Sequence, residues 1–167
     1  MNNFIGIDPG KKGAIAVLHQ DRRTVIWLDM PVTPAGEIDV KSIYEFLQPF
    51  APENYICMLE RAQSMPKQGV VGVFTYGVGY GKVKACLELL GIKYNEIHPK
   101  NWKKEFKLLG KTKEDSVETA RKLFSWHSSS YKTPRGRLLD GRAEALLLAE
   151  HGRRNIMRSG EWKCCDE

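Results

Sequence analysis

Four carboxylates in this sequence stand where they could share a cation. Asp8 closes an apolar run at residues 4–8, and Glu60 closes another at residues 55–60. Asp140 and Glu144 are four residues apart in a helical pattern, so they fall within roughly 40° of one another around the helix. Leu147 and Leu148 continue that side of the helix, which turns the two acids inward. Each acid alone has an ordinary reading: an Asp-Pro-Gly turn, a strand-end charge, a helix cap, a surface residue. Together they fall at compatible ends of elements. Gathering four carboxylates is costly, because like charges repel and burial favours the neutral form. A divalent cation offsets that cost. Mg²⁺ takes carboxylate oxygens and keeps waters and phosphate as further ligands. Two such ions about 4 Å apart can activate a water and stabilise the leaving oxygen of a phosphodiester. The expected chemistry is phosphodiester hydrolysis on two Mg²⁺ ions, with Mn²⁺ as a substitute. The ligands would be Asp8, Glu60, Glu144 and Asp140.

The elements that must position these acids follow from the pattern. Residues 4–8, 14–18 and 24–30 read as strands joined by short turns, an antiparallel meander. Residues 38–50 carry apolar side chains at helical spacing and end at Pro49 and Pro52. Residues 55–60 read as a fourth strand and 92–98 as a fifth. Between them lies a run with Gly69, Gly72, Gly77, Gly79 and Gly81. Glycine weakens a helix by about 1 kcal/mol each, so this run reads first as a loop and then as a helix over at least residues 80–90. Thr112 with Asp115 three residues on reads as a helix start. Residues 125–137 read as polar and flexible, and the last helix spans 138–153. The sum is an α/β fold: a mixed sheet of five strands, three antiparallel and then two parallel additions, flanked by helices. If strands one and four are parallel neighbours, Asp8 and Glu60 leave the sheet at one edge, where ligands bind in such folds.

The chain has 167 residues, 42% apolar and 28% charged, which fits one globular domain over 1–158 with 159–167 as a disordered tail. There is no apolar run of about 18 residues to span a membrane. No N-terminal address is evident, and Cys57, Cys86, Cys164 and Cys165 lack metal or redox spacing. A cytoplasmic setting is the expectation. The net charge of +6 is unevenly spread: residues 99–113 hold six lysines and one glutamate, while residues 1–98 balance. That window, Lys100, Lys103, Lys104, Lys107, Lys111 and Lys113, reads as a track for a polyanion, with nucleic acid the expected partner. Lys11 and Lys12 lie in the turn beside Asp8, and Arg135, Arg137 and Arg142 are further phosphate candidates beside the last acids. His98 and His127 read as hydrogen-bonded histidines rather than ligands.

FIGIDPGKKGAIAV, MLERAQ and DGRAEALLLAEHG together resemble the RuvC-type Holliday-junction resolvases, which have a ribonuclease-H-like fold. YGVGYG, PKNWKK and TKEDS extend the likeness toward the branch with phage and plant chloroplast enzymes, over residues 4–151. The resemblance implies a homodimeric, metal-dependent endodeoxyribonuclease that nicks opposed strands of a four-way junction in DNA recombination and repair. It implies that Asp8, Glu60, Asp140 and Glu144 are the metal ligands and that Lys113 lies near the scissile phosphate. It also implies that Gln63, Lys67, Phe74 and Tyr76, in a loop after Glu60, probe the junction centre. Bacterial RuvC differs in carrying Asp at the Glu144 position, with its last two acids three apart. The glycine-rich helix over 80–90 is the expected dimer contact. Other readings are a same-fold nuclease for flap or branched DNA or RNA–DNA hybrid, and a non-enzymatic junction-binding protein. A nucleotide-binding ATPase of the actin type needs two such domains, more than this length supplies.

Overall fold

The computed structural model describes residues 3–50, 55–63 and 69–159. Five strands form one sheet: β1 (Asn3–Asp8), β2 (Ala14–Leu18), β3 (Val25–Asp29), β4 (Tyr55–Glu60) and β5 (Tyr94–Ile97), in the order β3-β2-β1-β4-β5. β1, β2 and β3 pair antiparallel, and β4 and β5 add in parallel. This is the expected mixed sheet.

Strand periodicity decides where the acids point. Alternate side chains of a strand face opposite sides. Phe4, Ile56 and Met58 join the core on one face of the sheet, while Ile5, Ile7, Cys57 and Leu59 join the core on the other. Asp8 and Glu60 share the parity of the first set. The parallel register runs from Asn3↔Tyr55 to Ile7↔Leu59, so the two acids follow one another at the next step.

The first face is covered by α3 (Pro99–Glu105), α4 (Lys113–Leu123) and α5 (Asp140–Ser159). The other carries α1 (Val40–Leu47), capped by Asp39, and α2 (Val70–Leu89). α5 lies directly on β1. A Cβ at Gly6 would stand 1.9 Å from the Ala145 carbonyl oxygen, so only glycine lets the backbones meet there. Gly141 gives the same freedom at the start of α5, where a Cβ would stand 2.3 Å from the Lys12 carbonyl oxygen. These two glycines bring the N-terminal turn of α5 to the end of β1.

Several local expectations change. The glycine-rich run is helical from Val70, so α2 is twenty residues long rather than starting near residue 80. Its glycine cost is accepted where one is needed: a Cβ at Gly79 would stand 2.9 Å from Ile38. The helix expected over 38–50 is α1 followed by a 3-10 turn, Gln48–Phe50, around Pro49. Residues 125–131 form two 3-10 turns with a kink at His127, and Tyr131 is fully buried edge-on to Trp27. α3 is an added short helix whose cap is His98 Nδ1, accepting from the Lys100 N–H. α5 starts at Asp140 and runs to Ser159; the rest of the expected tail, residues 160–167, lies outside the described residues, as do Cys164 and Cys165. Among the described residues, no helix is long and apolar enough to cross a membrane.

Candidate active site

Asp8 is partly buried at the end of β1 and accepts a hydrogen bond from the Gly10 N–H at 3.1 Å. The turn behind it closes tightly: a Cβ at Gly13 would stand 2.6 Å from the Asp8 carboxyl carbon. Burial, and then the neighbouring charges of Glu60 and Glu144, raise the Asp8 carboxyl from 3.8 to about 7. Glu60 is also raised, chiefly by burial and further by Glu144, against a lowering hydrogen bond from Trp102. That bond runs from the Trp102 indole Nε1 to Glu60 Oε2 at 2.8 Å.

α5 delivers the other two acids. Glu144 is buried, and its Oε1 accepts from the Ser116 hydroxyl at 3.1 Å and lies 3.4 Å from Lys103 Nζ. Asp140 pairs with Lys113, the first residue of α4. Thr112 caps α4 through a reciprocal capping box with Asp115, which fixes where Lys113 begins. The Asp140 carboxylate raises the Lys113 ammonium further above its ordinary value. A cation in the first turn opposes the helix dipole; here Asp140 compensates it.

Asp8, Glu60 and Glu144 are near enough to act on one another's charge, and Lys113 connects Asp140 to Asp8 and Glu144. Tyr76 joins them from α2. Burial, then the charges of Asp8 and Glu60, push its hydroxyl up to about 12. Tyr76 and Phe74 are helical rather than in a loop, and Phe74 is exposed. Gln63 is partly buried after β4, and Lys67 lies outside the described residues. Lys11, Lys12, Lys113 and Arg137 line a cleft of about 560 Å³ beside Asp140. Lys100, Lys104, Lys107, Lys111 and Arg135 are exposed. Arg142 is held otherwise: its Nη2 donates to Asp29 Oδ2 at 2.8 Å and its Nη1 to the Ser130 carbonyl at 3.1 Å. It ties the first turn of α5 to the end of β3. His127 Nε2 lies 2.9 Å from the Arg23 carbonyl oxygen.

The donor set is all oxygen and anionic, with Asp8 and Glu60 raised by burial and then by neighbouring acids, which suits a hard divalent cation. Among the described residues, no three His, Cys, Asp or Glu side chains already close on one point as a metal centre. Lys113 and Lys103 instead sit on Asp140 and Glu144. Sequence reading missed Trp102, Lys103 and Ser116 as partners of the acids. Trp102 was visible only as an apolar position inside the lysine window, and nothing in the sequence near Ser116 points to Glu144.

No protein-family model matches this sequence, and no curated protein matches it. Solved structures do. Thermus thermophilus RuvC superposes with a TM-score of 0.61 at 17% identity, over 95% of this chain and 96% of that one. T. thermophilus RuvC in complex with Holliday junction substrate gives 0.59 at 15%, over 94% and 96%. The fold is thus RuvC-like, of the ribonuclease-H type.

Proposed function

We propose that this chain is a metal-dependent endonuclease that cuts four-way DNA junctions symmetrically. The observation that carries the reading is the meeting of Asp8, Glu60, Asp140 and Glu144 at one edge of a RuvC-like sheet, with Lys113 and Lys103 among them. A relative of this fold has been solved on a Holliday junction. The motifs FIGIDPGKKGAIAV, MLERAQ and DGRAEALLLAEHG favour the same substrate, and YGVGYG with PKNWKK favours the phage and chloroplast branch.

Asp8, Glu60, Glu144 and Asp140 would hold a pair of Mg²⁺ ions, or Mn²⁺ in their place. Such ions, when bound, activate a water and stabilise the leaving oxygen. The reaction is hydrolysis: a bond forms from the water oxygen to phosphorus as the bond from phosphorus to a sugar oxygen breaks. Trp102 and Ser116 hold Glu60 and Glu144 against reorientation. Lys113 supplies a positive charge where negative charge builds on the phosphate oxygens. Lys100, Lys104, Lys107 and Lys111 bind the DNA backbone without reading its sequence. Lys11, Lys12, Arg135 and Arg137 hold the strand on the other side of the acids.

Two opposed cuts need two equivalent centres, hence a two-fold dimer. α2 supports this. Val70, Val71 and Phe74 are exposed on it, and a Cβ at Gly72, Gly77 or Gly81 would meet nothing within 4 Å. Sedimentation at micromolar concentration should show a dimer; a monomer alone would remove this part of the reading. The activity test offers labelled four-way junction, flap, duplex and RNA–DNA hybrid side by side with Mg²⁺. Paired nicks in the junction alone are expected. Equal cutting of flap or hybrid would assign the other substrate, and no cutting with binding intact would leave a junction-binding protein.

A further inference from the structure

Trp102 is fully buried in the middle of the most basic segment of the chain. Four of the residues around it, Lys100, Lys103, Lys104 and Lys107, are lysines. A buried indole packs well through its ring, but its N–H needs a partner. Here the N–H goes to Glu60 Oε2 at 2.8 Å, at the margin of the hydrophobic core on this face. The next residue, Lys103, lies over the Trp102 ring with its ammonium 5.1 Å from the centroid, and the same ammonium is 3.4 Å from Glu144 Oε1. One turn of α3 thereby touches an acid on β4 and an acid on α5.

The contact constrains Glu60 in a way its strand cannot. A strand-end glutamate has three side-chain torsions, and ordering them is costly. Asp8, by contrast, is short and is held by the Gly10 N–H. With Oε2 accepting from the indole, one rotamer is favoured and Oε1 stays available. Ring packing against Phe106, at a centroid distance of 6.5 Å, fixes the indole in turn.

We propose that Trp102 is a positioning residue: its indole N–H orients the Glu60 carboxylate for divalent-cation binding and links the lysine-rich helix α3 to the catalytic centre. This rests on the reading of Glu60 as a metal ligand, and deepens it. Exposed lysines on α3 that grip DNA phosphates would, through Trp102, bear on the geometry of Glu60. Trp102 itself touches neither substrate nor reacting atoms.

The test uses the full-length protein and Trp102→Phe, which keeps an aromatic ring and removes the N–H. Isothermal titration with Mn²⁺ comes first on the wild type. Absence of binding there would sink the metal-ligand reading itself, whatever Trp102 does. With wild-type binding established, Trp102→Phe should bind Mn²⁺ about tenfold more weakly, which is roughly 1.4 kcal/mol for one lost hydrogen bond to a charged group. Junction affinity in chelator should be unchanged, while kcat falls and KM for the junction does not rise. A Trp102→Phe protein that binds Mn²⁺ as tightly as wild type overturns the proposal. Should that variant fail to fold, the wild type still decides. Its four tryptophans should give four ¹⁵N indole resonances, and the one missing from a Trp102→Tyr spectrum, or unassigned after replacing the other three singly, is Trp102. That resonance should shift on Mg²⁺ saturation, and an unmoved resonance overturns the proposal equally.

Discussion

The carbonyl oxygen of Ala145 lies where a side chain on Gly6 would begin: a Cβ there would be 1.9 Å away, and 2.5 Å from the Ala149 N–H nitrogen. This contact lets α5 lie on β1 with no side chain between them. It sets the depth at which Glu144, one residue before Ala145, reaches the edge where Asp8 ends.

Gly6→Ala should therefore act on both stability and the site. Overpacking against backbone cannot be relieved by a rotamer change, so a loss of about 3 kcal/mol is expected. Chemical denaturation measures it. Gly10→Ala, whose Cβ would be 3.4 Å from an Asp8 oxygen, should cost much less.

The raised Asp8 carboxyl predicts how stability follows pH in chelator. Unfolded, the group titrates near 3.8; folded, at about 7. Between those values the folded state holds more protons, so stability falls as pH rises from about 4 to about 7 and stays reduced above. Glu60 adds a change of the same sign. Asp8→Asn should flatten this slope and raise the melting temperature at pH 8 in chelator. It should also abolish cleavage while sparing junction binding. A variant that cuts at the wild-type rate would remove Asp8 from the site.

Mg²⁺ should reverse that trend. Loading at pH 7 requires ionised carboxylates, so binding should release protons. The thermal stabilisation by a fixed Mg²⁺ concentration should be larger at pH 8 than at pH 5. Scanning calorimetry at the two pH values, with matched chelator controls, checks this.

Lys100, Lys104 and Lys107 are exposed on or just after α3. Replacing all three with alanine should weaken junction binding and lower the slope of log affinity against log salt by about 0.9 per lost phosphate contact on duplex arms. Folding should be untouched. Lys103 is left out of this set because it also meets Glu144.

Arg142 should behave differently from those lysines. It ties Asp29 to the first turn of α5. A double-mutant cycle of Asp29→Asn and Arg142→Gln should give a coupling of about 1 kcal/mol. Arg142→Lys should not restore it, since a lysine cannot make the paired contact.

Much of this was legible in the one-dimensional pattern, for local reasons. Strand-like runs of five to seven residues with turn signals marked the five strands, the first three as a meander. Thr112 and Asp115 announced α4 because a capping box is complete within four residues. The spacing of Asp140 and Glu144 set their shared helix face, and the lysine window was visible by counting. The register that places Asp8 beside Glu60 needed β1 and β4 to pair, a contact across 52 residues of sequence that only topology suggested.

The rest depended on contacts between distant segments. Propensity made a loop of residues 70–79, yet α2 runs through its glycines, and Tyr76 reaches the acids from a helix. Arg142 has the charge of a phosphate ligand, but the end of β3 arrives beside it and Asp29 takes its guanidinium. Trp102 carries no mark in the sequence beyond being apolar among lysines. Its role is set by where the burial of its ring leaves the N–H, because a buried donor is costly without an acceptor and this one meets Glu60 Oε2. Sequence alone determined which acids and cations the protein has and which local elements carry the four acids. Tertiary structure decided which are neighbours, because pairing and desolvation depend on distances that no sequence spacing encodes.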